Sequence, residues 1–406
     1  MAGSRVPALG AASPGIVVTA LGLAQLLGWG SSYYLLAVLA PFIHRDTGWP
    51  PAWVAAGLSL GLAAAALVSP AVGRAIQAHR GRLVLALASV LFAAGLAGLA
   101  LAPNLAVYLV AWAVMGLGMG AGLYDAAFAT LGRLYGQAAR RPITSLTLIA
   151  GFSSTLCWPL SASLVEALGW RGTCLAYAGL HFGAALPVLL AVIPRPPTRP
   201  DPVPSLEHPT APARRTDRAV LLLVGTSFTV TAAVAALLSV QLLILLQALG
   251  LSLASAVALG ALIGPAQVGA RALELLAGRF LHPIWTLVAA TVLLVAGTGL
   301  LAWGALPAAI AILLYGAGAG LESIARGTLP LSLFGADRYA ALMGRLALPR
   351  LLAQAAAPPI GAVLLDRLGP TGTLVTVVCL CAAAVVTAVA VLWLIRSRTH
   401  STHEAR

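Results

Sequence analysis

Lysine is absent from this chain and acids are scarce: all 24 basic residues are arginine, set against 11 acidic ones in 406 residues. Charged residues make up only 9% of the sequence, while 60% is apolar. A soluble protein of this length needs far more charged surface, so a water-soluble globular fold is excluded. The four cysteines, Cys157, Cys174, Cys379 and Cys381, stand in apolar runs without the spacing of a disulfide framework or a metal site. No nucleophile paired with a base stands out, and no phosphate-cradling loop ends in lysine, so the sequence does not read as an enzyme. The net charge of +13 does not point to nucleic acid, because the arginines fall at junctions between apolar runs rather than on one exposed domain. No metal or cofactor is expected.

What the chain has in excess is long apolar runs. Crossing a bilayer core takes about 20 apolar residues per helix, and runs of that length recur between short Arg-, Pro- or Gly-bearing breaks. The pattern predicts an all-α integral membrane protein with twelve transmembrane helices. They begin near Gly15, Pro51, Leu83, Asn104, Ile143 and Gly172, and again near Ala219, Leu253, Pro283, Pro307, Tyr339 and Gly372. Residues 195–218, rich in proline and charge, cannot cross a membrane and read as a solvated linker between an N-terminal bundle, 1–194, and a C-terminal bundle with a short tail, 219–406.

The two bundles repeat one another. GRAIQAHRGR at 73–82 aligns without a gap on ARALELLAGR at 270–279; GAGL at 120–123 recurs at 318–321; Leu168-Gly169 falls opposite Leu368-Gly369. Six spans is an even number, so both copies enter from the same side as parallel repeats about an axis along the membrane normal. Most arginines fall on the side of the termini and the linker, with Arg45, Arg171 and Arg367 opposite. The positive-inside rule then puts both termini in the cytoplasm of a multi-pass inner (plasma) membrane protein, expected to be a monomer.

Against this apolar background a few charges stand out, each costing roughly 2.5 to 3.5 kcal/mol at the bilayer centre. Glu322 and Arg326 lie four apart on span 10 with the acid first, the favourable order along one helix. Arg350 lies about 11 residues into span 11, roughly 16 Å deep at 1.5 Å per residue. Its partner is open between Glu322, Asp125 on span 4, and a substrate anion. Asp125 and Glu322 are candidates for proton coupling or charge pairing. Gln25, Trp29 and Tyr33 on span 1, with Trp158 and Gln241, are candidate substrate contacts beside Arg350 and Arg326.

Two six-span repeats, a charged central linker and a Gly-Arg turn after the second span of each repeat resemble the major facilitator superfamily of secondary transporters. The family's signature turn reads roughly G-x-x-x-D-x-x-G-x-R; Gly73, Arg74, Gly81 and Arg82 match it, with Gln77 at the acid position. The second copy keeps an acid, Glu274, with Arg271 and Arg279, but has Ala270 for its first glycine. The resemblance implies alternating access and a gating role for these residues. Gly28-Trp29-Gly30 and RRPITSLTLIAGFSSTLCWP at 140–159 look like the monocarboxylate and oxalate-formate branch. That likeness implies carboxylate binding by cations of the C-terminal half, where Arg350 occupies a comparable place. The expected function is secondary transport of a small organic anion across the lipid bilayer, with a proton as candidate coupling ion. An exporter of toxic apolar or cationic compounds is one alternative, and a non-transporting membrane sensor or scaffold is another.

Overall fold

The computed structural model describes residues 13–195, 215–304 and 308–404. Most of the expected linker, 196–214, and the side chain of Arg279 lie outside the described residues. Eight continuous helical stretches are long and apolar enough to cross a bilayer. Chain reversals at 76–80, 136–139, Gly169 and Gly369 divide the three longest, giving the twelve crossings of two six-helix repeats among the described residues.

Span 1 is Pro14–Gly30 with Leu35–Thr47, span 2 Pro51–Ala75, span 3 Gly81–Ala100, and span 4 Leu105–Gly122 with Tyr124–Tyr135. Span 5 is Arg140–Ala150 with the start of Ser153–Leu180; the rest of that helix, with His181–Ala185 and Leu186–Val192, forms span 6. Arg215–Ala248 is span 7, Leu253–Ala261 with Ile263–Ala277 span 8, Pro283–Trp303 span 9, and Ala308–Phe334 span 10. Ala336–Glu404 holds spans 11 and 12, divided at Gly369.

The repeat is visible in local detail. Gly169 and Gly369 turn their hairpins at φ 69° and 67°, a left-handed conformation that side chains with a Cβ resist. Each turn is pinned by a threonine four residues on: Thr173 and Thr373 donate to the Gly169 and Gly369 carbonyls, both at 2.8 Å. Spans 2 and 4, and their counterparts 8 and 10, touch through glycine. A Cβ on Gly120 would come within 2.7 Å of the Ala65 carbonyl, and one on Gly320 within 2.6 Å of the Gln267 carbonyl. Such close backbone approach is how helices pack where lipid removes the hydrophobic drive.

Several spans are broken within the membrane. In span 1, Ser31 and Ser32 donate their hydroxyls to the Leu27 and Gly28 carbonyls, at 2.7 and 2.6 Å, and residues 31–34 form a turn. Span 4 breaks at Leu123, whose backbone is extended, and the Gln25 amide donates to the adjoining Gly122 carbonyl at 2.5 Å. Asp125 therefore lies in the first turn of a new helix, Tyr124–Tyr135.

The halves meet on the side that carries the chain ends bordering the linker. Gly73 of span 2 sits where a Cβ would be 2.6 Å from the Ala340 carbonyl of span 11, and Gly344 abuts the Ser69 carbonyl. Gln77 donates to the Asp337 carbonyl at 2.6 Å, and Gln137 to the Leu331 carbonyl at 3.3 Å. Arg140 reaches across to Glu274 at 3.3 Å and to the Leu281 carbonyl at 2.6 Å. These bridges close the linker side.

Candidate functional site

At the centre Asp125 stands between two guanidiniums of the other half. Arg350 Nη2 donates to Asp125 Oδ2 at 2.5 Å, and Arg326 Nε lies 3.9 Å from Asp125 Oδ1. The break in span 4 supplies this geometry, because it aims Asp125 across the interface from the first turn of Tyr124–Tyr135. Gln354, one turn beyond Arg350, accepts from its Nη1 at 3.2 Å. The Nε atoms of both arginines are buried without a hydrogen-bond partner. Arg326 also lies over the Tyr124 ring, 5.6 Å from its centroid.

Glu322, which the sequence sets one turn before Arg326, leaves its Oε1 buried with no donor. Arg326 makes its ion-pair contact across the interface, with Asp125, in addition to the charge of Glu322 on its own span. A third guanidinium is close by. Arg271 of span 8, read from the sequence as a turn residue, is buried and bridges three elements. It donates to Ser323 of span 10 at 3.2 Å, to the Thr147 carbonyl of span 5 at 3.2 Å, and to Gln267 at 3.1 Å. All three of those acceptors are neutral.

No Asp or Glu among the described residues is as deeply buried as these three arginines, which are 5%, 7% and 4% exposed at positions 271, 326 and 350. Burying a guanidinium is costly unless it is paired. Here three cations are served by Asp125, by Glu322 and by neutral groups, and all three belong to the C-terminal half. The arrangement can hold a planar anion bidentately, with no metal or covalent chemistry required. Among the described residues no group of His, Cys, Asp and Glu could hold a metal ion.

The aromatic candidates come together. Trp29 packs against Tyr33, Tyr34 and Tyr124, with ring centroids 5.4, 6.2 and 5.1 Å away, and Tyr34 continues to Trp158 at 6.1 Å. Gln25 and Gln241 stand apart from the arginines. The Gln25 amide is committed to Gly122, and Gln241 donates to the Pro358 carbonyl at 3.0 Å from a slot that Gly361 leaves open. In each, the amide N–H meets a carbonyl that a break or a proline nearby leaves to satisfy, while the Oε1 is buried without a partner.

The signature turns lie at the linker side. Gly81 packs on Thr130, Arg82 donates to the Leu190 carbonyl, and Arg74 is exposed. Gln77 takes the acid's place with neutral bonds, donating to Asp337 and accepting from the Ala341 N–H at 3.4 Å. Glu274 pairs with Arg140 and accepts from Thr286 at 2.8 Å.

Residues 21–348 match the description of the Major Facilitator Superfamily. The chain belongs to that superfamily. Among solved structures, the human organic anion transporter MFSD10 (TETRAN) superposes with a TM-score of 0.74 at 18% identity, covering 93% of this chain and 99% of that one. The proton:xylose symporter XylE gives 0.69 at 12% identity, with 92% and 94% covered. The E. coli fucose:proton symporter FucP gives 0.64 at 14%, with 93% and 99% covered. No curated protein matches by sequence. At these identities the likeness carries the fold alone, and membership of the superfamily makes this chain a membrane transporter.

Sequence reasoning passed over Gln354 and gave Tyr124 no role. Gln354 was detectable as a polar group four residues from Arg350. The place of Tyr124 depends on the break in span 4.

Proposed function

We propose that this transporter moves a small organic anion, a carboxylate, by rocking 1–194 against 219–406 about the linker 195–218. The observation that carries the reading is the surplus of buried guanidinium. Arg271, Arg326 and Arg350 outnumber Asp125 and Glu322, so the centre favours one further negative charge. The anion takes the place of the Asp125 carboxylate on Arg326 and Arg350. Asp125 belongs to the N-terminal half and both arginines to the other, so that exchange loosens a bridge between the halves and links binding to rocking. Glu322, with its bare buried oxygen, is the site for a coupling proton, since an anionic oxygen without a donor is relieved by one.

The distribution of arginine favours a plasma-membrane setting with the linker side cytoplasmic and the cargo site facing outward in this conformation. Gly73, Arg74, Gly81, Arg82, Arg271, Glu274 and Arg279 serve the gate. Export of cations is less well supported, because Asp125 is already engaged by two guanidiniums.

The test is uptake of labelled carboxylates into proteoliposomes. Arg350→Ala is expected to lower uptake at least tenfold for every transported substrate, and undiminished uptake would refute the anion site. In Glu322→Gln, uptake driven by a pH gradient is expected to vanish while exchange at equal pH survives.

A further inference from the structure

The rings next to the arginines form one connected group. Trp29 is its hub, touching Tyr33 and Tyr34 on its own span and Tyr124 on span 4. From Tyr34 the contact passes to Trp158 on span 5, and from Tyr124 to Arg326, whose guanidinium lies over that ring. A ring surface and an anion-binding pair thus adjoin through one side chain.

Two features separate this group from ordinary core packing. The Trp29 indole N–H is buried without an acceptor, although buried tryptophans usually find one. Trp158, at the far end, is 46% exposed, and Tyr33 and Tyr34 are half-buried, so the group has an open side. Unpartnered donors on Trp29, Arg326 and Arg350 beside unsealed ring faces match a ligand that brings acceptors at one end and a ring at the other.

We propose that the transported anion is an aromatic carboxylate, its carboxylate on Arg326 and Arg350 and its ring among Trp29, Tyr34 and Trp158. This rests on the anion reading above and adds the ring. Ring-on-ring contact contributes roughly a twofold to tenfold gain in affinity per pair beyond burial, so two such contacts discriminate against an aliphatic acid of similar hydrophobicity.

Calorimetry on the full chain in nanodiscs tests this with three probes: 3-phenylpropanoate, hexanoate and 3-phenylpropan-1-amine. The expected result is 3-phenylpropanoate binding at least tenfold more tightly than hexanoate, with no binding of the amine. Trp158→Leu and Tyr34→Leu should each lower the ratio of the two carboxylate affinities at least threefold. Equal affinity for both carboxylates, or a ratio untouched by both variants, overturns the aromatic assignment and leaves the anion reading standing. Binding of the amine without either carboxylate, or of none of the three, overturns both.

Discussion

Asp125 is one carboxylate facing two guanidiniums, and its removal separates stability from binding. In Asp125→Asn both arginines lose their counter-charge, and breaking such a pair costs about 3 kcal/mol. On the proposed anion reading, the same change removes the internal competitor for the substrate. The variant is therefore expected to melt at a lower temperature yet bind carboxylate more tightly, read by thermal unfolding and calorimetry on the same sample; unchanged affinity would show that Asp125 does not occupy the anion's place. Asp125, Arg326 and Arg350 were legible in the sequence, since a charge in an apolar run is conspicuous. The sequence left the partner of Arg350 open between Glu322, Asp125 and a substrate anion, because Asp125 and Arg350 are 225 residues apart and meet only in the folded chain. Gln25 and Gln241 looked equally conspicuous. What the structure adds is a neighbouring carbonyl for each amide, which composition does not reveal.

At the scale of elements, closure of the linker side rests on spans 2 and 11 touching without side chains between them. Gly344→Val would drive a side chain into the Ser69 carbonyl, so the variant is expected to shift the population towards an open linker side. Labelling of a cysteine placed at Gln77 should rise several-fold, and unchanged labelling would mean that this contact does not set the closure. His282 contributes on the neighbouring span. Its Nδ1 accepts from the Ile284 N–H at 3.2 Å, capping span 9, and burial, helped by Arg140, holds its pKa below the usual imidazole value. A depressed histidine favours the folded form above about pH 6.5, and that contribution is lost as the pH falls towards the folded value. Melting temperature should therefore decline on acidification more steeply in wild type than in His282→Asn, which keeps a cap without a charge. The hairpins at Gly169 and Gly369 could be placed from the repeat alone, as could the Gly120 and Gly320 contacts. The breaks inside spans 1, 4, 5 and 8 could not, because apolar residues continue on both sides of each.

Across the whole molecule, the count of buried charge has an electrical consequence. With Asp125 and Glu322 ionised, Arg271, Arg326 and Arg350 leave the centre with one positive charge in excess, and a monocarboxylate cancels it. Moving one elementary charge across a membrane potential is worth about 2.3 kcal/mol per 100 mV. When the anion crosses without its coupling proton, the loaded protein rocks without electrical work, whereas the empty one carries charge through part of the field; a proton on Glu322 restores the excess charge to the loaded form. Exchange of labelled for unlabelled carboxylate without proton movement should therefore ignore an imposed potassium diffusion potential, while net uptake in that mode, which needs the empty return, should change with its sign. Identical voltage responses in the two modes would contradict this count. On the proposed anion reading, the buried arginines make the vacant carrier a voltage sensor, and the membrane potential becomes a brake or an accelerator on how fast it resets.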